Sequence, residues 1–225
     1  MQAFETNELV VTCDFCGRFY AKCCAHPSET CHLNQIVYTD GACRNNGKDG
    51  AASGIGIAVG LPDDVCQHQW ALPVDDNLDP GKKRTNQRAE LLASLEGLKK
   101  VCELDAEGIA GCMEQGGYED DTDVIVIATD SEYVVKGMTE WVPAWKQRGW
   151  RKSGGGKPFN LDLFRKLDEE VEARERRHAC RVKFWYIPRK YNGLADALAK
   201  RGALSAANSA VAVTSVAHQL SAWSL

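Results

Sequence analysis

The chain has no run of eighteen apolar residues, so nothing in its 225 positions reads as a membrane-spanning helix. It also lacks a large excess of one charge. With 27 basic and 31 acidic side chains the formal net charge is −4, so a polyanion must be met by a local patch rather than a global field. No basic stretch precedes an apolar core in "MQAFETNELVVTCDFCGRF", as it would in a secretory leader, and no internal repeat is visible. The ten cysteines are therefore expected to stay reduced in an intracellular (nuclear or cytoplasmic) protein, some of them available to metal, instead of forming a disulfide framework. An apolar fraction of 44% with 26% charged residues is that of a globular chain, one domain plus extras.

Residues 1–34 stand apart by composition, with five of the ten cysteines and two of the five histidines. From position 35 onward the pattern is regular. "IVYTD", "SGIGIAVG" and "CQHQWALPV" read as three strands of an antiparallel meander separated by Gly, Asn, Asp and Pro turns. A helix is expected over "TNQRAELLASLEGLKKVCEL", followed by an acidic Gly-rich loop, an apolar strand "DVIVIATD" and a short helix. A Trp-rich basic segment (141–158), a helix over 161–177, the strand "CRVKFWYIP" and the helix "NGLADALAKRGA" complete the pattern. The tail 204–225 is small-residue and weakly patterned, and is expected to be a loose helix or disordered. Three strands followed by alternating helices and strands predict an α/β fold, a mixed sheet covered by helices.

Two of the predicted strands end in Thr-Asp, at Asp40 and Asp130. If they lie parallel and adjacent, both acids reach the same rim of the sheet, where open α/β sheets place ligands. Chain order puts Glu90, one turn into the long helix, and Asp196, early in the last helix, at that rim. Four crowded acids repel unless a cation neutralises them, and an oxygen-only donor set suits Mg²⁺ or Mn²⁺. Paired hard metals are a standard device for phosphodiester hydrolysis. Taken singly, each acid is more simply a turn residue, a helix cap or a surface charge.

"YTDGACRNNG", "RTNQRAELLA", "TDSEYV", "WVPAWKQRGW" and "NGLADALA" together resemble, in order and over about three quarters of the chain, the motif set of the type 1 ribonuclease H family. The resemblance implies a five-stranded mixed sheet with helices on both faces over residues 35–203, and cutting of the RNA strand of RNA–DNA hybrids by a two-metal mechanism. It places the four metal-binding catalytic carboxylates on Asp40, Glu90, Asp130 and Asp196. Asn46, Asn86 and Gln87 match positions that contact RNA, although "RNNG" is also a ready turn and Asn86 a plausible helix cap. The segment "WVPAWKQRGWRKSGGGK" holds five basic residues, no acid and three tryptophans. It is similar to the family's basic protrusion, which implies DNA contacts for Trp141, Trp145, Lys146, Arg148, Trp150, Arg151 and Lys152. The plainer alternative is that Trp141 and Trp145, one helical turn apart, belong to the core. Thr85 and Asn160 match phosphate-holding positions, with Lys83 and Arg84 as added charge.

One family feature is missing. Many members carry a loop histidine before the last helix, whereas "WYIPRKYNGLAD" has none, and His178 lies at the wrong end of the preceding strand. Asn192 remains there to cap the helix or meet the substrate phosphate. The resemblance also leaves the N-terminal segment unexplained. Cys13, Cys16, Cys23, Cys24, His26, Cys31 and His32 have the donor types and proximity of a small zinc site, in several four-ligand combinations. Competing readings are a non-catalytic hybrid-binding module, a ribonuclease H domain derived from a retroelement, and a zinc protein whose sheet is only a scaffold.

Overall fold

The computed structural model describes residues 5–23, 32–62, 66–106, 123–178 and 180–222, with the helix path alone given at 105–106, 178 and 210–222. Its strands are β1 (Val10–Thr12), β2 (Phe19–Ala21), β3 (Asn34–Arg44), β4 (Ala52–Ala58), β5 (Gln69–Val74), β6 (Val124–Thr129) and β7 (Arg181–Tyr186). Its helices are α1 (Asn86–Ala106), α2 (Glu132–Lys136), α3 (Val142–Gln147), α4 (Leu161–His178) and α5 (Gly193–Ala222). A single π-helical stretch (Gly137–Trp141) links α2 to α3.

All seven strands join one sheet around β3. β3 pairs antiparallel with β4 from Tyr38 to Arg44, and parallel with β6 from Asn34 to Tyr38 on its other side. β5 continues the antiparallel half and β7 the parallel half. Such a central strand is buried on both faces, which is why "IVY" is apolar without alternation. Val37 enters the cluster under α1 and α4, while Ile36 enters a second cluster on the opposite face with Leu198 of α5. The mixed sheet with helices on both faces is as expected, and no helix among the described residues is long and apolar enough to cross a membrane.

Three expectations change. Asp40 is not followed by a turn, because β3 continues through Gly41 to Arg44 by pairing with β4. The rim at Asp40 arises because β6 stops at Thr129 beside it. Second, the five strands expected over residues 35–203 are present as β3–β7, and the N-terminal segment adds two more, β1 and β2, to the same sheet. β4 ends opposite Tyr38, leaving the first part of β3 without a partner on that side. The β1–β2 hairpin fills this edge through Tyr20↔Gln35 and through Phe19 N–H donating to the Val59 carbonyl (2.8 Å). Third, position 204 falls inside α5, whose path runs on to Ala222. The acidic loop expected after α1 lies at 107–122, outside the described residues.

Helix α5 packs on β4 almost backbone to backbone. A Cβ at Gly54 or Gly56 would collide with the main chain of Gly202–Ala203 or of Ala195 and Ala199. The glycines of "SGIG" thus let the last helix settle on the sheet, with Ala195, Ala199 and Ala203 fully buried along the contact. α1 approaches β3 as closely at Gly41, where a Cβ would land on the backbone of Ala89 and Glu90. These contacts fix the helices that carry two of the four acids.

Candidate active site

Parallel register brings the first two acids together. Tyr38 pairs with Ala128, so Asp40 and Asp130 each stand two residues beyond the last parallel pair. Gly41 lets α1 seat Glu90 next to this point, and Gly56, opposite Asp40 on β4, lets α5 place its first turn, with Asp196, above the same spot. Asp40 is buried (8% exposed) and its carboxyl is pushed up to about 7. Burial is the main cause, reinforced by the charges of Asp130, Asp196 and Glu90, while a hydrogen bond from the Gly41 N–H opposes the rise. Burial also raises Glu90 above its ordinary value.

Each of the other acids is held by a neighbour. Ser131 Oγ donates to Glu90 Oε2 (2.6 Å) while accepting from the Val134 N–H as the cap of α2. Asn86 Nδ2 donates to Glu90 Oε1 (3.3 Å). Buried Asn192 donates through Nδ2 to Asp130 Oδ1 (2.7 Å) and to the Thr39 carbonyl (3.1 Å), tying the end of β6 to the middle of β3. Asp196 is met by Arg189 Nη2 (3.2 Å) and Lys200 Nζ (2.6 Å), both on exposed side chains. Four carboxylates therefore share one rim with two exposed cations, a donor set that fits hard divalent ions.

A family model described as RNase H matches residues 33–204 of this chain. The chain belongs to the ribonuclease H family. A ribonuclease H from Pseudomonas entomophila (strain L48) is 32% identical over 171 residues, spanning 74% of this chain and 90% of the relative. Ribonuclease H1 of Mus musculus is 32% identical over 172 residues, 75% of this chain but only half of the mouse protein. Among solved structures, the foamy viral protease–reverse transcriptase in complex with double-stranded DNA overlays with a TM-score of 0.53 at 23% identity, over 76% of this chain and 94% of that one. The ribonuclease H family depends on divalent metal, in keeping with the carboxylate rim.

Beside this ribonuclease H rim, the residues expected to touch RNA form a tight group. Asn46 Oδ1 accepts from the Asn86 N–H (3.0 Å), and Asn86 Oδ1 accepts from the Cys43 N–H (3.0 Å). Asn45, at φ 54°, makes the turn that brings Asn46 over. Asn86 does not cap α1. Thr85 does, its Oγ1 accepting from the Arg88 N–H (3.3 Å), and Gln87 is exposed. Asn160 is bound to Arg88 Nη1 (3.3 Å) and to the Tyr133 hydroxyl (3.1 Å). Arg84 is spent on the Asp79 carbonyl and the Asp76 carboxylate (both 2.7 Å), which leaves exposed Lys83 as the accessible cation of that pair.

The Trp-basic segment divides into core and surface. Trp145 is buried edge-on to Phe164 (centroids 5.3 Å apart), and Trp141 packs on both it and Tyr133. Trp150 is half-buried under the Arg165 guanidinium (4.7 Å). Lys146 is neutralised by Asp168 (2.7 Å) and Glu172 of α4, a pairing hidden in the sequence by the distance between the partners. Arg148, Arg151 and Lys152 remain exposed, with Lys152 over the exposed Phe159 ring (4.6 Å).

Sequence reasoning passed over Ser131, Gly41 and Arg88. Arg88 is nearly buried and forms a bidentate pair with Asp79 (2.7 and 2.8 Å) and two bonds to Asp162 (2.8 and 3.1 Å). It thereby locks α1 to the start of α4. The "RAELL" context disguised it, since charged residues on a helix usually face solvent. Among the expected zinc ligands, Cys13, Cys16 and His32 converge, and Cys23 lies just after β2. Cys24, His26 and Cys31 lie outside the described residues, as does the His178 side chain.

Proposed function

We propose that this protein is an endonuclease that hydrolyses the RNA strand of RNA–DNA hybrids, with Mg²⁺ (or Mn²⁺) held by Asp40, Glu90, Asp130 and Asp196. One observation carries the reading. Four acids from four separate elements meet at one sheet rim, where burial and mutual repulsion hold the Asp40 carboxyl near 7. A fold optimised for stability alone would not keep such a group, because each neighbouring acid raises the cost of its charge.

Bound divalent ions would supply charge neutralisation and polarisation at the attacked phosphorus and the leaving oxygen. The protein's own groups supply position. Asn192 holds Asp130, Ser131 and Asn86 hold Glu90, and Gly41 sets the spacing between α1 and β3. Arg189 and Lys200 act as countercharges to Asp196 until a cation arrives. Asn46, Asn86 and Gln87 are the amide groups beside the rim suited to 2′-hydroxyl recognition, since each offers both a donor and an acceptor. Exposed Arg148, Arg151 and Lys152 suit the DNA backbone, with the half-buried Trp141 and Trp150 of the same segment as candidates to meet a deoxyribose. The thiol and imidazole donors of the N-terminal segment suit zinc instead of magnesium and take no part in this reaction. A purely binding module would account for the basic segment but not for the four acids.

The test is cleavage of an end-labelled hybrid with and without divalent cation, in competition with double-stranded RNA and double-stranded DNA. Wild-type protein should cut only the RNA strand of the hybrid, and only with the cation. Asp130→Asn should lose on the order of 10³-fold in rate while still shifting the hybrid in a gel. Binding without cutting by the wild type, or a fully active Asp130→Asn, would overturn the assignment.

A further inference from the structure

We propose that Cys13, Cys16 and His32 supply three of the four donors of a structural zinc site that clamps the β1–β2 hairpin to the start of β3. The proposal does not rest on the nuclease assignment. The donor atoms of these three all lie within 4.8 Å of one another, closer than those of the four carboxylates at the rim. Tetrahedral zinc, with Zn–S of about 2.3 Å and Zn–N of about 2.0 Å, separates its donors by about 3.5 to 3.8 Å. The Cys13 Sγ to His32 Nε2 distance of 3.3 Å is close to that spacing.

The local backbone is shaped for the purpose. Residues 13–18 fold into a tight turn in which the Gly17 N–H donates to the Cys13 carbonyl (2.8 Å) and the Cys13 N–H to the Arg18 carbonyl (2.9 Å). Gly17 takes φ 67°, a conformation costly for any side-chain-bearing residue, and it closes the turn with both thiols on one side. His32 arrives from the other end, two residues before β3. The Tyr20 and His32 rings meet edge to face (centroids 4.6 Å apart), and the Tyr20 hydroxyl lies 3.7 Å from Cys16 Sγ, so two of the three donors have an outer neighbour that orients them.

The hairpin also needs a staple. Its strands are three residues each and it joins β3 through a single residue pair; Phe19, Val10 and Ala21 reach the core on the α5 side, but on the other face only Cys13 and Tyr20 are buried, with Val11 and Cys16 beside them. So small an apolar cluster fixes that face of the hairpin poorly, and a metal bond between the hairpin turn and the entry to β3 would hold it. Two thiolates with an imidazole select zinc over the hard ions suited to the carboxylate rim.

The experiment is metal analysis of full-length protein purified without chelator, followed by cobalt substitution. One zinc per chain is expected, and cobalt should give the thiolate charge-transfer and tetrahedral d–d absorption bands. Cys13→Ser/Cys16→Ser should lose the metal and show faster amide exchange over residues 10–21 than the wild type, with exchange in α1 and α4 unchanged. His32→Cys should retain zinc where His32→Ala releases it. Metal-free native protein that takes up neither ion, a Cys13–Cys16 disulfide in its place, or zinc retained by the double serine variant would each overturn the site. None of these readouts involves hybrid cleavage, so failure of the nuclease assignment would be seen separately.

Discussion

The carboxylate rim and the Trp-basic segment are both concentrations of one charge, yet the fold treats them differently. At the rim four acids face two exposed cations, and the buried member is left only about half-ionised at pH 7. In the basic segment Lys146 is met by two acids of α4, and two of the three tryptophans pack with Phe164. Charge that the chain compensates from within is architecture, and charge it leaves uncompensated at a structural cost is where a ligand belongs.

Arg88 joins the two regions, so its loss should have the largest effect on stability. Its guanidinium links the helix carrying Glu90 to Asn160 and Asp162 beyond the basic segment. Arg88→Met would bury Asp79 without its main partner, a defect that costs about 3–5 kcal/mol. The lower figure applies, because Arg84 stays 3.7 Å from Asp79 and Lys82 3.7 Å from Asp162. A fall of about 6–12 °C in Tm is expected for a chain of this size. The same pairing holds Asp162 down to about 2. Since its pKa is depressed in the folded state, its contribution is complete above the ordinary carboxylate range and disappears as pH falls through about 2. A variant as stable as the wild type at pH 7 would show that the two regions are not mechanically joined.

Asn192→Ala sharpens the comparison from the side of the rim. It removes the amide that bridges Asp130 and the Thr39 carbonyl, and a loss of about 10- to 100-fold in activity at limiting Mg²⁺ is expected, as for other residues that orient metal ligands. Saturating metal should recover part of the loss if Asn192 only positions Asp130. Asn192→Asp should be worse than alanine, because it adds a fifth acid where four already repel.

The Asp40 carboxyl gives the rim a pH signature. Its folded-state pKa of about 7 lies above the unfolded value, so metal-free protein loses stability as pH rises from about 4 to about 7 and then levels off. A bound divalent ion removes that penalty. Adding Mg²⁺ should therefore raise Tm more at pH 8 than at pH 5.5, and Asp40→Asn should abolish the difference. An equal shift at both pH values would mean that the ion binds elsewhere.

How much of this was legible in the sequence follows from the range of the interactions. Asp40, Glu90, Asp130 and Asp196 sit in local motifs, and parallel pairing of two Thr-Asp strands is enough to predict that two of them meet. Trp145 and Lys146 are equally local in sequence, but their partners, Phe164 and Asp168, come from a helix about twenty residues on. Nothing in "WKQRGW" shows that the lysine is already satisfied. Gly41 reads as a turn glycine after Asp40, and only the arrival of α1 reveals that the missing side chain makes room for Ala89 and Glu90. The β1–β2 hairpin was similarly hidden. Its strands are three residues long, too short for a period, and the cysteines drew the reading toward a separate segment when the open edge of β3 was the controlling feature.

The smallest expected effect tests the basic segment directly. Arg151 donates only to the Gly155 carbonyl (3.2 Å) and is exposed, whereas Lys146 lies between Asp168 and Glu172. If uncompensated charge marks the DNA-facing surface, Arg151→Ala should weaken hybrid binding and lower the slope of log K against log salt by about 0.9, the loss of one phosphate contact. Lys146→Ala should leave that slope unchanged and cost at most about 1 kcal/mol of stability, because a half-exposed ion pair is worth little in water. Salt titrations of hybrid binding by the two variants give both slopes. Equal slopes would place Lys146 on the phosphate after all, with its α4 partners displaced when the hybrid arrives. A change confined to Lys146 would reverse the proposed division between architecture and contact.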